Sequence, residues 1–167
     1  MDRLILFRHG KAERDSASGV DFDRPLAPRG QRDAAAMAQR LADLGLAPKL
    51  VLVSPAARTR ETWAAAGPAF PGAEVRSEPA LYNAEAGGVR QAVERAAGDT
   101  PGALMVVGHN PGLQDLAVAL LREGGSPPEL VGQAERRFPT SAAAVFLIDA
   151  RGRPAFDGLL LPERGED

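Results

Sequence analysis

The chain has 167 residues, of which 44% are hydrophobic, 25% are charged and none is cysteine, and its formal net charge is −2. Such a length and apolar content fit one globular domain over residues 1–167 with a sizeable core. The same figures exclude disulfide scaffolding and thiol chemistry, give no basic footprint for nucleic acid, and accompany no apolar run long enough to span a bilayer. No secretory-type apolar segment precedes the first predicted strand, so a cytoplasmic protein with no membrane partner is expected. Two histidines far apart, without cysteine, leave only carboxylates to complete a metal site, so neither a metal nor another cofactor is expected.

The first strand covers Arg3 to Phe7. Its four consecutive apolar residues, Leu4-Ile5-Leu6-Phe7, read as a strand buried on both faces, the kind found inside a parallel sheet flanked by helices. It runs directly into Arg8-His9-Gly10, an arginine and a histidine at the point where the strand leaves the sheet, with a glycine that permits a tight turn. In open α/β sheets that carboxyl edge is where ligands bind. Residues 11 to 28 then read as an active-site loop, a length that inside a compact domain is either functional or disordered. Lys11 and Arg24 within it are set aside as solvated charges.

From Pro28 to Leu44 the spacing is helical, with Ala34, Met37, Ala38, Leu41 and Leu44 on one stripe and Gly45 and Pro48 ending the helix. Leu50 to Val53 is a second buried strand that stops at Ser54-Pro55. Pro55 opens a helix to about Ala66 with Arg58 in its first turn, Trp63 available for packing, and Arg60 and Glu61 as a solvated pair. Gly67-Pro68 breaks it. A short strand at Glu74 to Ser77 leads through a loop, Glu78 to Glu85, into a helix from about Gly87 to Ala97. Ala103 to Val107 is another buried strand, which ends in Gly108-His109-Asn110-Pro111. Pro111 stands near the first position of the following helix, with Asn110 as its N-cap. After a loop at Gly124 to Pro128 come a strand from Ala142 to Ile148 and an edge strand from Ala155 to Leu161, and Glu163 to Asp167 should fray. Strands alternating with helices give an α/β fold, a three-layer αβα sandwich around a mainly parallel sheet.

Both histidines of the chain therefore terminate predicted core strands, and Arg58 reaches the same edge. Charges clustered there with no anion between them would be destabilising, so Arg8, His9, Arg58 and His109 read as an anion site. Arg8-His9-Gly10, Ser54-Pro55-Ala56-Ala57-Arg58-Thr59-Arg60-Glu61-Thr62 and Gly108-His109-Asn110, in that order and each at a strand end, resemble the three signatures of the histidine phosphatase superfamily. The likeness runs over nearly the whole chain. The short length and Asp23-Arg24-Pro25-Leu26-Ala27-Pro28-Arg29-Gly30 look most like the small SixA-like phosphohistidine phosphatases. That family often has alanine where this chain has Gly10.

The resemblance implies a phosphoglycerate-mutase-like fold and a phosphohistidine enzyme intermediate that water hydrolyses. Phosphoryl transfer needs fixed cations and donors around the equatorial oxygens and a nucleophile in line with the leaving group. Arg8 and Arg58 suit the clamp, because planar forks hold oxygens at fixed geometry. His9 is the expected nucleophile, with its second ring nitrogen held as a donor to a carbonyl of the adjacent turn, and His109 the expected donor to a phosphoryl oxygen. In related phosphatases and mutases the segment after the third strand can supply a proton-donating acid, and Glu85 and Glu78 are the candidates. The expected activity is that of a metal-independent phosphatase acting on a phosphohistidine-bearing protein, with no nucleic acid as partner. A small-molecule phosphomonoesterase and a non-catalytic phosphate-binding module are the alternatives. A mutase is disfavoured, since too little chain lies between Thr62 and His109 for the insertion of the larger mutases.

Overall fold

The computed structural model describes residues 1–98 and 100–163. Six strands, β1 Arg3–Arg8, β2 Leu50–Val53, β3 Glu74–Ser77, β4 Ala103–Gly108, β5 Ala143–Ile148 and β6 Pro154–Leu160, form one sheet in the order β3-β2-β4-β1-β5-β6. The pairs β3/β2, β2/β4 and β4/β1 are parallel, whereas β5 and β6 are antiparallel additions at one edge. The sheet is therefore mainly parallel, and β6 closes it as an antiparallel edge strand.

The apolar runs work by alternation. Leu4 and Leu6 of β1 join Leu104 and Val106 of β4 in a core with Val93, Leu116 and Ala134. These last three come from the helices α3 Ala86–Ala97, α4 Gly112–Glu123 and α5 Pro128–Arg136. Ile5, Phe7, Met105 and Val107 point the other way, into a core with Met37, Leu41 and Ala66. Those belong to α1 Pro28–Asp43 and α2 Ala57–Ala66. Successive strand residues face opposite sides, so four apolar residues in a row are what a strand between two helical layers requires. Each fully buried leucine here contributes about 1.5–3 kcal/mol relative to exposure.

Several boundaries differ from the sequence reading for local reasons. Leu44 lies outside the stripe, 63% exposed, because α1 ends at Asp43 and Gly45 turns the chain at φ 74°; Leu46 takes the buried place instead. Pro55 precedes α2 without starting it: Ala56 is extended, and the Thr59 hydroxyl donates to the carbonyls of Ser54 (2.7 Å) and Ala56 (2.9 Å). Gly67-Pro68 continues as a 3-10 turn, Gly67–Ala69, which brings Trp63 into a stack on Phe70. Arg60 does not pair with Glu61; its Nε donates to the Pro55 carbonyl. Asn110 sits one residue before the N-cap of α4, yet its Oδ1 still accepts from the Gln114 amide at 3.2 Å.

The sequence reading left α5 unassigned, because it is short, follows two prolines and contains Gly132. Pro128 at its start and the inward spacing of Val131 and Ala134 were the available signals. The fraying expected beyond Glu163 lies outside the described residues.

Candidate functional site

The register of the central strands builds the site. Arg8 of β1 is level with Gly108 of β4, so the next residues, His9 and His109, leave the sheet side by side; their ring centroids are 5.4 Å apart. Val53 of β2 is level with Val107, which puts Ser54 against His109. Both rings are 8% exposed.

His9 is fixed by its own turn. Its Nδ1 lies 2.7 Å from the Gly10 carbonyl, an acceptor only, so Nδ1 carries the proton and Nε2 keeps its lone pair. The Gly10 amide donates to Thr62 Oγ1, and the Thr62 hydroxyl donates to the Arg58 carbonyl, so one threonine ties this turn to α2. Gly10 also has a steric role. A Cβ there would fall 2.5 Å from the Gly30 carbonyl oxygen, and a Cβ on Gly30 would fall 2.1 Å from that of Lys11. An alanine at position 10 of this chain is thus not a free small-for-small exchange, since the Gly30 backbone would have to shift. Burial, opposed by the Gly10 hydrogen bond and reinforced by Arg8, Arg58 and Arg24, pushes the His9 pKa down to about 4.

His109 is held from the other nitrogen. Its Nε2 is 2.7 Å from Ser54 Oγ, while its buried Nδ1 has no hydrogen-bond partner among the described residues. The Tyr82 ring meets it edge to face at 5.7 Å. Burial, then His9 and Arg58, push its pKa down to about 3.

The two arginines arrive from opposite helical layers. Arg8 follows Leu4 and Leu6 on the α4 and α5 side, where its Nη1 donates to the Phe138 carbonyl at 2.9 Å. Its Nε is buried without a hydrogen-bond partner among the described residues, and burial followed by the like charge of Arg58 lowers its pKa. Arg58, also 8% exposed, comes from α2 and donates from Nη1 to the Asp21 carbonyl (3.0 Å) and from Nη2 to Asp21 Oδ2 (3.1 Å). Tyr82 donates to the same carboxylate oxygen at 2.7 Å, and Arg24 reaches its other oxygen at 3.0 Å. The Tyr82 and Arg24 bonds, with the charge of Arg58, hold the Asp21 pKa down at about 2.

Residues 4–104 match the histidine phosphatase superfamily (branch 1). An uncharacterized chloroplastic protein of Arabidopsis thaliana is 33% identical over 96% of this chain and 78% of its own length. The chain belongs to the histidine phosphatase superfamily. Among solved structures, a protein from Agrobacterium tumefaciens provisionally named as the phosphohistidine phosphatase SixA superposes with a TM-score of 0.81 at 32% identity, covering 96% of this chain and 98% of that one. The protein histidine phosphatase SixA complexed with tungstate gives a TM-score of 0.76 at 25% identity, over 95% and 96% of the two chains. The fold is accordingly phosphoglycerate-mutase-like, as the strand and helix order implies.

In this superfamily member the four residues singled out from sequence, Arg8, His9, Arg58 and His109, lie together at the carboxyl edge of the sheet, and among the described residues no hydrogen bond or ion pair joins the two candidate acids to them. Glu85 is exposed at the N-cap of α3. Glu78 accepts from the Ala80 amide at 3.1 Å and lies 4.0 Å from Arg95. Lys11 is exposed, but Arg24 is not a solvated loop charge: it is half-buried and also donates to the Glu13 carbonyl. The 11–28 loop holds a 3-10 turn at Asp21–Asp23 and is bridged at its base by Ala12 and Leu26. Asp21, Tyr82, Ser54 and Thr62 are the site residues that sequence reasoning missed. Ser54 and Thr62 carried a signal, since polar hydroxyls inside a buried motif need partners. Asp21 carried none, because only the fold places it on Arg58. Among the described residues no three histidine, aspartate or glutamate side chains gather into a possible metal site.

Proposed function

We propose that this domain is a metal-independent phosphatase that works through a phosphorylated His9 and acts on protein phosphohistidine. The observation that carries the reading is the division of nitrogens. His9 is bound at Nδ1 by Gly10, which aims the Nε2 lone pair into the crevice, and the depressed pKa keeps that lone pair available at neutral pH. His109 presents Nδ1 to the same space. Ser54 Oγ can donate to Nε2, and in that tautomer Nδ1 carries the proton and can donate to a phosphoryl oxygen.

In the first step the Nε2 lone pair forms a bond to phosphorus as the bond to the leaving nitrogen breaks. That nitrogen leaves with a proton from solvent. Arg8, Arg58 and His109 hold the equatorial oxygens, and the repulsion between the two guanidinium groups is relieved when a dianion lies between them. Water then attacks the phosphorylated His9, inorganic phosphate departs, and the water's second proton passes to solvent.

The leaving group favours phosphohistidine over alkyl esters. An alkoxide needs a positioned acid, whereas an imidazole is a much weaker base, with a reference pKa of about 6.5. Asp21 is the carboxylate nearest the clamp, and its low pKa leaves it ionised, so it has no proton to give. The tungstate-bound SixA relative supports oxyanion binding in this family. The test is kcat/KM across phosphohistidine protein, aryl phosphates and alkyl phosphates, for wild type and Glu85→Gln. We expect a preference for the first two and less than about a twofold change on them in Glu85→Gln. Efficient alkyl-ester hydrolysis that collapses in the variant would replace this reading with the phosphomonoesterase one.

A further inference from the structure

A cleft of about 730 Å³ shares Arg8 with the phosphoryl clamp and extends over α5, with Gln133, Arg136, Arg137, Leu159 and Leu161 in its walls. Among the described residues its lining contains three arginines and no carboxylate, in a chain whose net charge is −2. Two of its lining amides, Gln114 and Asn110, are engaged in holding the walls together. Gln114 Nε2 donates to the carbonyls of Ala134 (2.8 Å) and Glu135 (3.1 Å), and Asn110 Nδ2 donates to Phe138 at 2.9 Å, alongside Arg8. Arg136 and Arg137 are different. Both are exposed, and neither has a carboxylate partner among the described residues, whereas their neighbour Glu135 pairs with Arg122. The Arg136 guanidinium lies over Gly132, where a Cβ would approach Nη1 to 3.0 Å, so the glycine makes room for it.

A helix C-terminus attracts cations, and that accounts for one arginine in the last turn of α5. It does not account for Arg137, which stands past the helix in extended backbone and lines the same cleft. The cleft is also open to solvent along these two residues, unlike the enclosed pockets that bury most of a small ligand.

Resting on the phosphohistidine reading above, we infer that this cleft docks acidic side chains that flank the phosphohistidine of a protein substrate. Arg8 is common to both subsites, so a phosphoryl group in the clamp brings the neighbouring residues of its carrier against Arg136 and Arg137, with Leu159 and Leu161 as an apolar flank. Charge complementarity of this kind selects partners and speeds encounter, and it weakens with salt.

The experiment uses the full chain and three synthetic phosphohistidine peptides that differ only in having aspartate, alanine or lysine on both sides of the phosphohistidine. In wild type at low salt, kcat/KM for the aspartate peptide should exceed that for the lysine peptide by about tenfold, mostly through KM. The ratio should fall toward one in R136Q/R137Q, with an unchanged melting temperature, and in wild type at about 0.5 M salt. Equal turnover of the three peptides by wild type overturns the inference, and so does a preference that survives in folded R136Q/R137Q. Should that variant fail to fold, the wild-type salt dependence decides: a preference insensitive to salt overturns it. Phosphoglycolate, which carries a carboxylate beside its phosphate, is the small-molecule arm; if its turnover alone depends on the two arginines, the protein assignment is overturned. Wild type that hydrolyses nitrophenyl phosphate but none of the peptides removes the phosphohistidine reading itself.

Discussion

The ends of β1 and β4 share a pattern, an apolar run and then a histidine, and are opposites in chemistry. Each delivers a histidine from a buried parallel strand at the same level of the sheet, each ring is 8% exposed, and each has a pKa pushed well below the ordinary value of 6.5. At the end of β1 a backbone carbonyl occupies Nδ1; at the end of β4 a serine hydroxyl occupies Nε2. The partner nitrogen, and not the ring's depth or charge state, is what separates a nucleophile from a donor in the proposed mechanism. Sequence spacing locates such a ring, but only the neighbour's hydrogen bond says which nitrogen works.

The largest effect expected of any substitution comes from removing the β1 ring. His9→Ala should lower turnover by at least about a thousandfold with the fold retained, since the proposed role is covalent and no neighbouring side chain replaces it. Wild type should yield a phosphoenzyme that is labile in acid and stable in base, seen after rapid quenching. Normal turnover in His9→Ala would show that the two histidines had been assigned the wrong way round or not at all.

Next in size is the clamp that both rings share. Arg58→Ala should cost about 3–4 kcal/mol in transition-state stabilisation, against about 1 kcal/mol or less for Arg60→Ala, whose side chain is exposed and bonded to Pro55. Steady-state kcat/KM on an aryl phosphate measures both. Equal losses would mean that the clamp does not discriminate between a buried and an exposed guanidinium.

Acid should expose the likeness of the two ends. Their folded pKa values, about 4 and about 3, lie below the unfolded value of 6.5, so the unfolded chain takes up protons first as pH falls. The stability of keeping them neutral is fully present above about pH 7 and is lost progressively as pH drops through 6.5 toward 4, at a cost on the order of 3 kcal/mol for each ring. Denaturant midpoints against pH for wild type, His9→Gln and His109→Gln read this directly. Each variant should have a shallower slope in that window than wild type, and identical slopes would mean that the rings are not buried neutral.

The smallest effect should sharpen the difference. Ser54→Ala removes the hydroxyl that meets His109 Nε2, and should reduce kcat by about tenfold while His9 still forms its phosphoenzyme. NMR of the His109 ring nitrogens in Ser54→Ala should show the proton shared between both. A ring that keeps its proton on Nδ1 without Ser54 would assign the orientation to something else, the edge contact with Tyr82 being the next candidate.

Much of this is legible in the sequence alone. The strand ends, the sheet's parallel centre and the residues Arg8, His9, Arg58 and His109 follow from runs of apolar residues ending in polar ones, which is local information. What escaped depends on contacts between distant segments. Asp21 reaches Arg58 across 37 positions and Tyr82 reaches Asp21 across 61. Helix α5 escaped for another reason, because two prolines and a glycine in a short stretch look like a loop until Val131 and Ala134 find a core to enter. The acids named from family likeness, Glu78 and Glu85, were the least physical expectation, and the structure shows their carboxylates directed to a cap, an arginine and solvent.

The close meeting of Gly10 and Gly30 has a bearing on how this chain can evolve. Each position forbids a methyl group on account of the other segment's backbone, and the atoms in the way are carbonyl oxygens, which cannot rotate aside as a side chain would. A lone exchange of either glycine for alanine is therefore a step downhill, because it pushes the first turn of α1 away from the His9 turn. An ancestor or descendant with alanine at position 10 must carry compensating changes in α1 that stand its first turn further off. Because the obstacles are backbone atoms, which any residue carries, an alanine at position 10 is relieved by a shift of the first turn of α1 and not by an exchange of residue 30.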